Sequence, residues 1–253
     1  NVVHSFCYIE DKSYAPEFDR VYAELFPNAP HARTLVNVPN VPGDSRIEIT
    51  CIAYADPSEV KVVGKPGADG VSATGVLAGD MAYFSGMDDR TKDGGHPDSF
   101  GDRMKQAMKN TESALKAAGL GFGHAVMMHV FLEDPGNYNA AMKVYGGFFR
   151  KGAEPAIAVV PVDWIPGGSR VLVTCWAVRD MKMKKVVPAG DTSGASIPKN
   201  ASPAVWAGDT LYLSALDGAT TGSLDTDVGG QVRLMAANHK KVQIGRASCR
   251  ERV

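Results

Sequence analysis

His31–Asp56 reads HARTLVNVPNVPGDSRIEITCIAYAD, and two alternating apolar segments around a Pro- and Gly-containing stretch predict a β-hairpin. With the turn centred on Asn40 and Val41, Arg33 and Glu48 face each other across the two strands. Directly opposed residues sit roughly 4.5–5.5 Å apart at Cβ, so a guanidinium and a carboxylate are expected to share one small volume. On Ile47-Glu48-Ile49-Thr50-Cys51, Glu48 and Thr50 take the face opposite Ile47, Ile49 and Cys51, the face that helices or a neighbouring unit would cover. The stretch recurs later. Lys151–Asp180 reads KGAEPAIAVVPVDWIPGGSRVLVTCWAVRD, and the SR…TC…A…D frame of Ser45–Asp56 returns as Ser169–Asp180. Ile157 and Leu172 stand where Arg33 and Glu48 stood. Joint replacement by apolar residues is what a buried ion pair permits, because one charge left unpaired in a dry site costs several kcal/mol and an apolar pair does not.

Working outward, the similarity extends at a spacing of about 120 residues, a domain-sized period. Cys7–Asp11, CYIED, matches Val130–Asp134, VFLED; Ala78–Asp88, AGDMAYFSGMD, returns as Ala207–Asp217, AGDTLYLSALD. The expected division is 1–63 for the back part of a first unit, 64–183 for a complete second unit and 184–243 for the front part of a third. In the second unit the pattern predicts a hairpin over Val71–Met87, a Gly-rich loop, and a helix capped by Ser99 and ended by Gly119. A strand over His124–Leu132, a helix over Asn137–Arg150 and a second hairpin over Ala156–Val178 follow. The order ββαβαββ implies an α+β layer, one mixed sheet with two helices on one face. Its uncovered face is expected to pack against the next unit.

At 253 residues, with 44% apolar and 22% charged side chains and a net charge of −1, the composition is that of a soluble globular chain. No run approaches the roughly 20 apolar residues of a membrane span, and no leader is visible at Asn1–Glu10. A cytoplasmic setting is expected, with neither nucleic acid nor membrane as partner. Residues 244–253, IGRASCRERV, have no counterpart in the repeats and resemble a translated short-read sequencing adapter; a natural basic tail is the alternative. Without them the charge is about −3. Cys7, Cys51 and Cys175 fall within strand patterns and read as buried thiols.

Other candidate chemistry is weaker. Gly119–Gly123, GLGFG, closes a helix, whereas phosphate-binding glycines open one. His124 and His129 take opposite strand faces and His96 lies in a loop, so no metal site converges. Asp88-Asp89 reads as a solvated turn, with acid/base pairing as the alternative.

His31-Ala32-Arg33-Thr34 and Ile47–Ala53, IEITCIA, resemble the P-A-R-[ST] and I-E-I-E-x-I-A strands of the RidA (YjgF) family of reactive-intermediate imine deaminases, whose units are related in fold to chorismate mutase. The resemblance covers nearly all of residues 1–243 in three tandem copies. It implies cofactor-free hydrolysis of 2-imino acids such as 2-iminobutanoate and 2-iminopropanoate, or of their enamines, to 2-oxo acids and ammonia. Arg33 corresponds to the family's carboxylate-gripping arginine and Glu48 to the glutamate that orients the attacking water. Ser85 with Gly86, or Ser214 with Ala215, would close the site from a neighbouring unit. Family members are homotrimers, so three fused units imply a single-chain pseudotrimer. The departures are Ile157 and Leu172, degenerate site positions in the second unit; Asp19 and Met142, where the family often has Asn; and Ser72 and Ala201, where it has an aromatic ring. Decay of the sites to a metabolite-binding or scaffold protein is the rival reading. The ribonuclease role attributed to parts of the family lacks a basic, aromatic-interleaved surface here.

Overall fold

In the computed structural model, residues 1–27, 31–66, 72–188, 197–216, 219–220, 223–224 and 227–250 are described. The first unit contributes β1 (Val2–Ile9), α1 (Ala15–Leu25), β2 (Ala32–Asn37) and β3 (Ile47–Ala53). β1 is central: β2 runs parallel on one side, with Ser5 opposite Arg33, and β3 antiparallel on the other, with Tyr8 opposite Glu48. The expected hairpin does not form. A strand, helix and strand make a parallel crossover, so α1 delivers β2 beside β1 and leaves the far side of β1 to β3. Residues 38–46 carry the chain past β1.

The second unit repeats this plan behind a complete front half. It holds β4 (Val60–Pro66), β5 (Ala73–Ala78), β6 (Met81–Phe84), β7 (Met87–Asp88), α2 (Phe100–Ala117), β8 (Ala125–Leu132), α3 (Tyr138–Gly146), β9 (Ala156–Pro161) and β10 (Val171–Val178). The sheet order is β4-β5-β6-β10-β8-β9, with β7 also on β10. Here too the expected hairpin over Ala156–Val178 is a pair of strands flanking β8: Ile157 lies opposite Met128, Leu172 opposite Phe131. The front hairpin forms as expected, with Gly79 at φ +53° in its turn. Ser99 Oγ caps α2 by accepting from the Asp102 N–H, and α3 ends earlier than its apolar pattern suggested. Val60–Pro66 straddles the expected boundary at 63/64 and pairs with β5, so residues 60–63 lie with the second sheet.

The third unit contributes β11 (Lys184–Val187), β12 (Ala204–Ala207), β13 (Thr210–Leu213) and α4 (Val228–Arg250). Of the terminal stretch 244–253, residues 251–253 lie outside the described residues. Among the described residues, no helix is long and apolar enough to cross a membrane.

Two kinds of core result. On the helical face of the second sheet, Met104, Met108, Leu115, Met142 and Tyr145 pack on Phe84, Met128, Ile157 and Cys175. On the other face the units meet: Phe6 and Val36 of the first pack on Phe131, Ile165 and Leu172 of the second, and Val126, Met127 and Val178 of the second on Val205 and Ala207 of the third. Burying such side chains is worth about 1.5–3 kcal/mol each, so the junctions are cores in their own right. His4 and His129 lie within the aromatic cluster at the first junction, edge-on to Phe6 and Trp176. Burial there lowers their pKa values to about 3 and about 4.

β3 departs most from expectation. Ile47, Ile49 and Cys51 are exposed, although their counterparts Val171, Val173 and Cys175 are fully buried. α2 covers β10, and among the described residues no second helix covers β3. Cys51 is therefore an exposed thiol; Cys7 and Cys175 are buried.

Candidate functional site

α1 and β2 build the first half of the site. Phe18 and Tyr22, one helical turn apart, bury α1 against Cys7, Ile9 and Leu35. Arg33 enters this layer from β2 on the same sheet face as Leu35. Its guanidinium lies 4.9 Å from the Tyr22 ring centroid and 5.6 Å from that of Phe18, and its Nη1 donates to Asp19 Oδ1 at 2.7 Å. The Arg33 side chain is 3% exposed and Asp19 34%, so the cation is held under a carboxylate that opens outward. Behind them Tyr22 Oη bonds Ser5 Oγ at 2.6 Å and contacts His31 Nε2. Burial raises the Tyr22 pKa, keeping the phenol neutral.

The second unit closes the site through the Ser85 hydroxyl and the Gly86 main chain. Arg33 N–H donates to Ser85 Oγ at 2.8 Å, Ser85 Oγ donates to Ala73 O at 2.5 Å, and Gly86 N–H donates to Arg33 O at 3.0 Å. The Gly86 amide is thus committed to the junction. A cavity of about 560 Å³ opens here, lined by Asp19, Arg33 and Leu35 from the first unit and by Ser85, Gly86, Asp88, Arg90, Asn110, Trp164 and Leu172 from the second. A Cβ on Gly86 would come within 2.7 Å of Leu172 Cδ2, which shows how closely Leu172 abuts this wall.

Glu48 is not in this cavity. Arg33 shares the helical face of the first sheet, whereas Glu48, opposite Tyr8, takes the junction face and is exposed. Two strand spacings separate them across the sheet and about three residues along it, each on the order of 10 Å. The expected Arg33–Glu48 pair does not exist. Leu172, the counterpart of Glu48, borders the cavity that Arg33 enters from the other unit. The Arg position of one unit and the Glu position of the next therefore share a cleft.

The second junction has the same frame. Ile157 N–H donates to Ser214 Oγ at 2.9 Å, Ser214 Oγ to Ser202 O at 2.6 Å, and Ala215 N–H to Ile157 O at 2.8 Å. Ser85 with Gly86 thus closes on Arg33, and Ser214 with Ala215 on Ile157. Ile157 and Met142 are buried, and the cavity of about 430 Å³ here is lined by Tyr138, Val159, Ile197, Pro198, Lys199, Ala215 and Leu216.

Several residues were not placed at the first cleft by the sequence, Asp88 having acid/base pairing only as its alternative reading. Asp88 Oδ2 takes Arg90 Nε at 2.6 Å and Nη2 at 2.5 Å. Asn110 donates to Asp88 O and Arg90 O, both at 2.8 Å, and accepts from Gln106. Asp89, expected in a solvated turn, is fully buried; it bonds His96 Nδ1 at 2.6 Å, Arg103 Nη1 at 3.2 Å and the Arg170 N–H at 3.2 Å. It braces the wall from behind. No group of three or more potential metal ligands occurs among the described residues.

The family profile described as Endoribonuclease L-PSP matches residues 1–55 and 66–179. Protein DfrA of Myxococcus xanthus is 37% identical over 109 residues, 42% of this chain and 82% of that protein. The 2-iminobutanoate/2-iminopropanoate deaminase of Homo sapiens is 34% identical over 116 residues, 45% of this chain and 84% of that enzyme. The YjgF gene product of E. coli superimposes with a TM-score of 0.45 at 28% identity, over 47% of this chain and 99% of that one. With two successive matches to one profile, the chain belongs to the Endoribonuclease L-PSP family, the RidA (YjgF) family that its β2 and β3 stretches resemble.

Proposed function

We propose that the cleft between the first and second units binds a small 2-imino acid by its carboxylate and hydrolyses the C=N bond without a cofactor, releasing ammonia and a 2-oxo acid. The tandem units take the place that separate subunits take in a homotrimer. The observation that carries this reading is Arg33, a buried guanidinium at the wall of a cavity of about 560 Å³. Guanidinium matches carboxylate with two parallel, charge-assisted hydrogen bonds, and the cavity suits a small acid. The 34% identity to an enzyme named 2-iminobutanoate/2-iminopropanoate deaminase supports the substrate class.

Leu172 favours a second reading. With an apolar side chain at the counterpart of Glu48, the cleft would hold a 2-oxo or 2-amino acid without turning it over. One experiment separates the two: ammonia and 2-oxo acid release from an imine generated in place, for wild type and Arg33→Ala, alongside calorimetric binding of a 2-oxo acid. Release above the buffer rate that disappears in Arg33→Ala supports hydrolysis. Binding without release supports the second reading, and neither binding nor release overturns both.

A further inference from the structure

Deepening the deaminase reading and resting on it, we infer that Asp19 is the catalytic carboxylate of the first cleft, in place of the one that Leu172 does not supply. Hydrolysis of an imine needs a group that takes a proton from water as its oxygen reaches the C=N carbon. Glu48 lies on the other face of its sheet, and among the described residues two carboxylates line the cavity, Asp19 and Asp88. Asp88 is held by Arg90 through Nε and Nη2 and receives the Arg90 N–H at 3.1 Å on its other oxygen, so both its oxygens are engaged. Asn110 has its amide nitrogen on two carbonyls and its oxygen on Gln106. Among the described residues Asp19 bonds Arg33 through Oδ1, and it is 34% exposed. Asp19 thus lines the cavity beside the cation that would hold the substrate carboxylate.

The second junction supports the assignment. Where Arg33 becomes Ile157, Asp19 becomes Met142, so the cation and the carboxylate are replaced together although they come from different elements.

The chemistry balances with water alone. The substrate carboxylate sits on Arg33 and the C=N carbon lies over Asp19. Water forms a C–O bond to that carbon of the protonated imine, the π pair moves to nitrogen, and one water proton passes to Asp19. Asp19 returns that proton to the nitrogen of the carbinolamine. It then takes the hydroxyl proton as the C–N bond breaks and the C=O bond forms, and passes that proton to the departing ammonia, which leaves as ammonium.

The test uses the full chain with Asp19→Asn, which preserves shape, Asp19→Glu as the conservative variant and Asp88→Asn as the competing carboxylate. Turnover of imine generated in place and calorimetric binding of a 2-oxo acid are both read. Expected is a loss of about 10²-fold or more in kcat for Asp19→Asn, 2-oxo acid binding within about threefold of wild type, and partial recovery in Asp19→Glu. An active wild type with an equally active Asp19→Asn overturns the assignment and leaves the deaminase reading standing. Loss of turnover and 2-oxo acid binding together shows that Asp19 only holds Arg33 in place, and loss in Asp88→Asn instead names the other carboxylate; either overturns the assignment. A wild type no faster than buffer overturns both readings.

Discussion

The two junctions use one main-chain frame and opposite contents. At the first, Arg33 and Asp19 form an ion pair under a cleft; at the second, Ile157 and Met142 fill the same positions with hydrocarbon. Each junction nonetheless keeps the serine hydroxyl that receives an amide from the neighbouring unit, at 2.8 Å and 2.9 Å. Packing of the units and occupancy of the cleft are therefore separable properties of this fold. One depends on a serine hydroxyl and on backbone groups that every residue supplies, the other on two further side chains.

Acid should have the largest effect, because it strikes the packed junction between the first and second units. His4 and His129 are buried and neutral, with pKa values lowered from 6.5 to about 3 and about 4. The unfolded chain binds protons first, so their contribution is complete above pH 6.5 and is lost as pH falls from 6.5 toward about 4 for His129 and about 3 for His4. The urea midpoint is expected to drop over that window, and His129→Asn to flatten the drop. A midpoint with the same pH dependence in wild type and variant would remove His129 from the account.

Next in size is the transplant of one junction's contents into the other. Ile157→Arg buries an unpaired charge and should cost about 3–5 kcal/mol, part of it recovered when Met142→Asp is added. The coupling energy from a double-mutant cycle measures the equivalence of the two clefts. A coupling near zero would mean that the frames match and the pockets do not.

The reverse exchange should be gentler. Arg33→Ile with Asp19→Met is expected to leave stability unchanged or raise it by about 1–4 kcal/mol, while abolishing 2-oxo acid binding. A double variant that unfolds would show that the ion pair holds the junction together. The smallest effect is expected of Gly86→Ala, whose Cβ would press on Leu172 Cδ2 at 2.7 Å, costing about 1–3 kcal/mol. Since Ala215 occupies the matching position at the second junction, Leu172→Ala in the same chain should relieve the strain. Failure to do so would place the cost in the backbone.

The repeats, the α+β layer, the capping of α2 by Ser99 and the apolar face of α2 were legible because each is a local pattern. Strand neighbours were not. Ala32–Asn37 and Ile47–Ala53 alternate as hairpin strands do, and nothing within them says that β1 lies between. That information sits in α1, whose presence between β1 and β2 requires a parallel crossover. Once β1 is interposed, Arg33 and Glu48 fall on opposite faces, and the pairing read from sequence dissolves. Leu172 was recognised as the counterpart of Glu48, but its place in the cleft of another unit's arginine depends on packing between units. Asp19 was visible only as a departure from the usual Asn. Its signal lay in covariation inside the chain: Asp19 and Arg33 change together to Met142 and Ile157. Asp89 was misread because its partners, His96, Arg103 and Arg170, are contributed by three separate segments.

The serine and main-chain seam bears on how such a chain can change over generations. In an assembly of identical subunits, any substitution is copied into every site at once, and a variant that harms one harms all. Here each site is written separately, and the seam places almost no demand on the side chain beside it. One cleft can be lost to Ile157 and Met142 while its neighbour keeps a charged pair, and a new specificity can be tried in one cleft without forfeiting the old one in another.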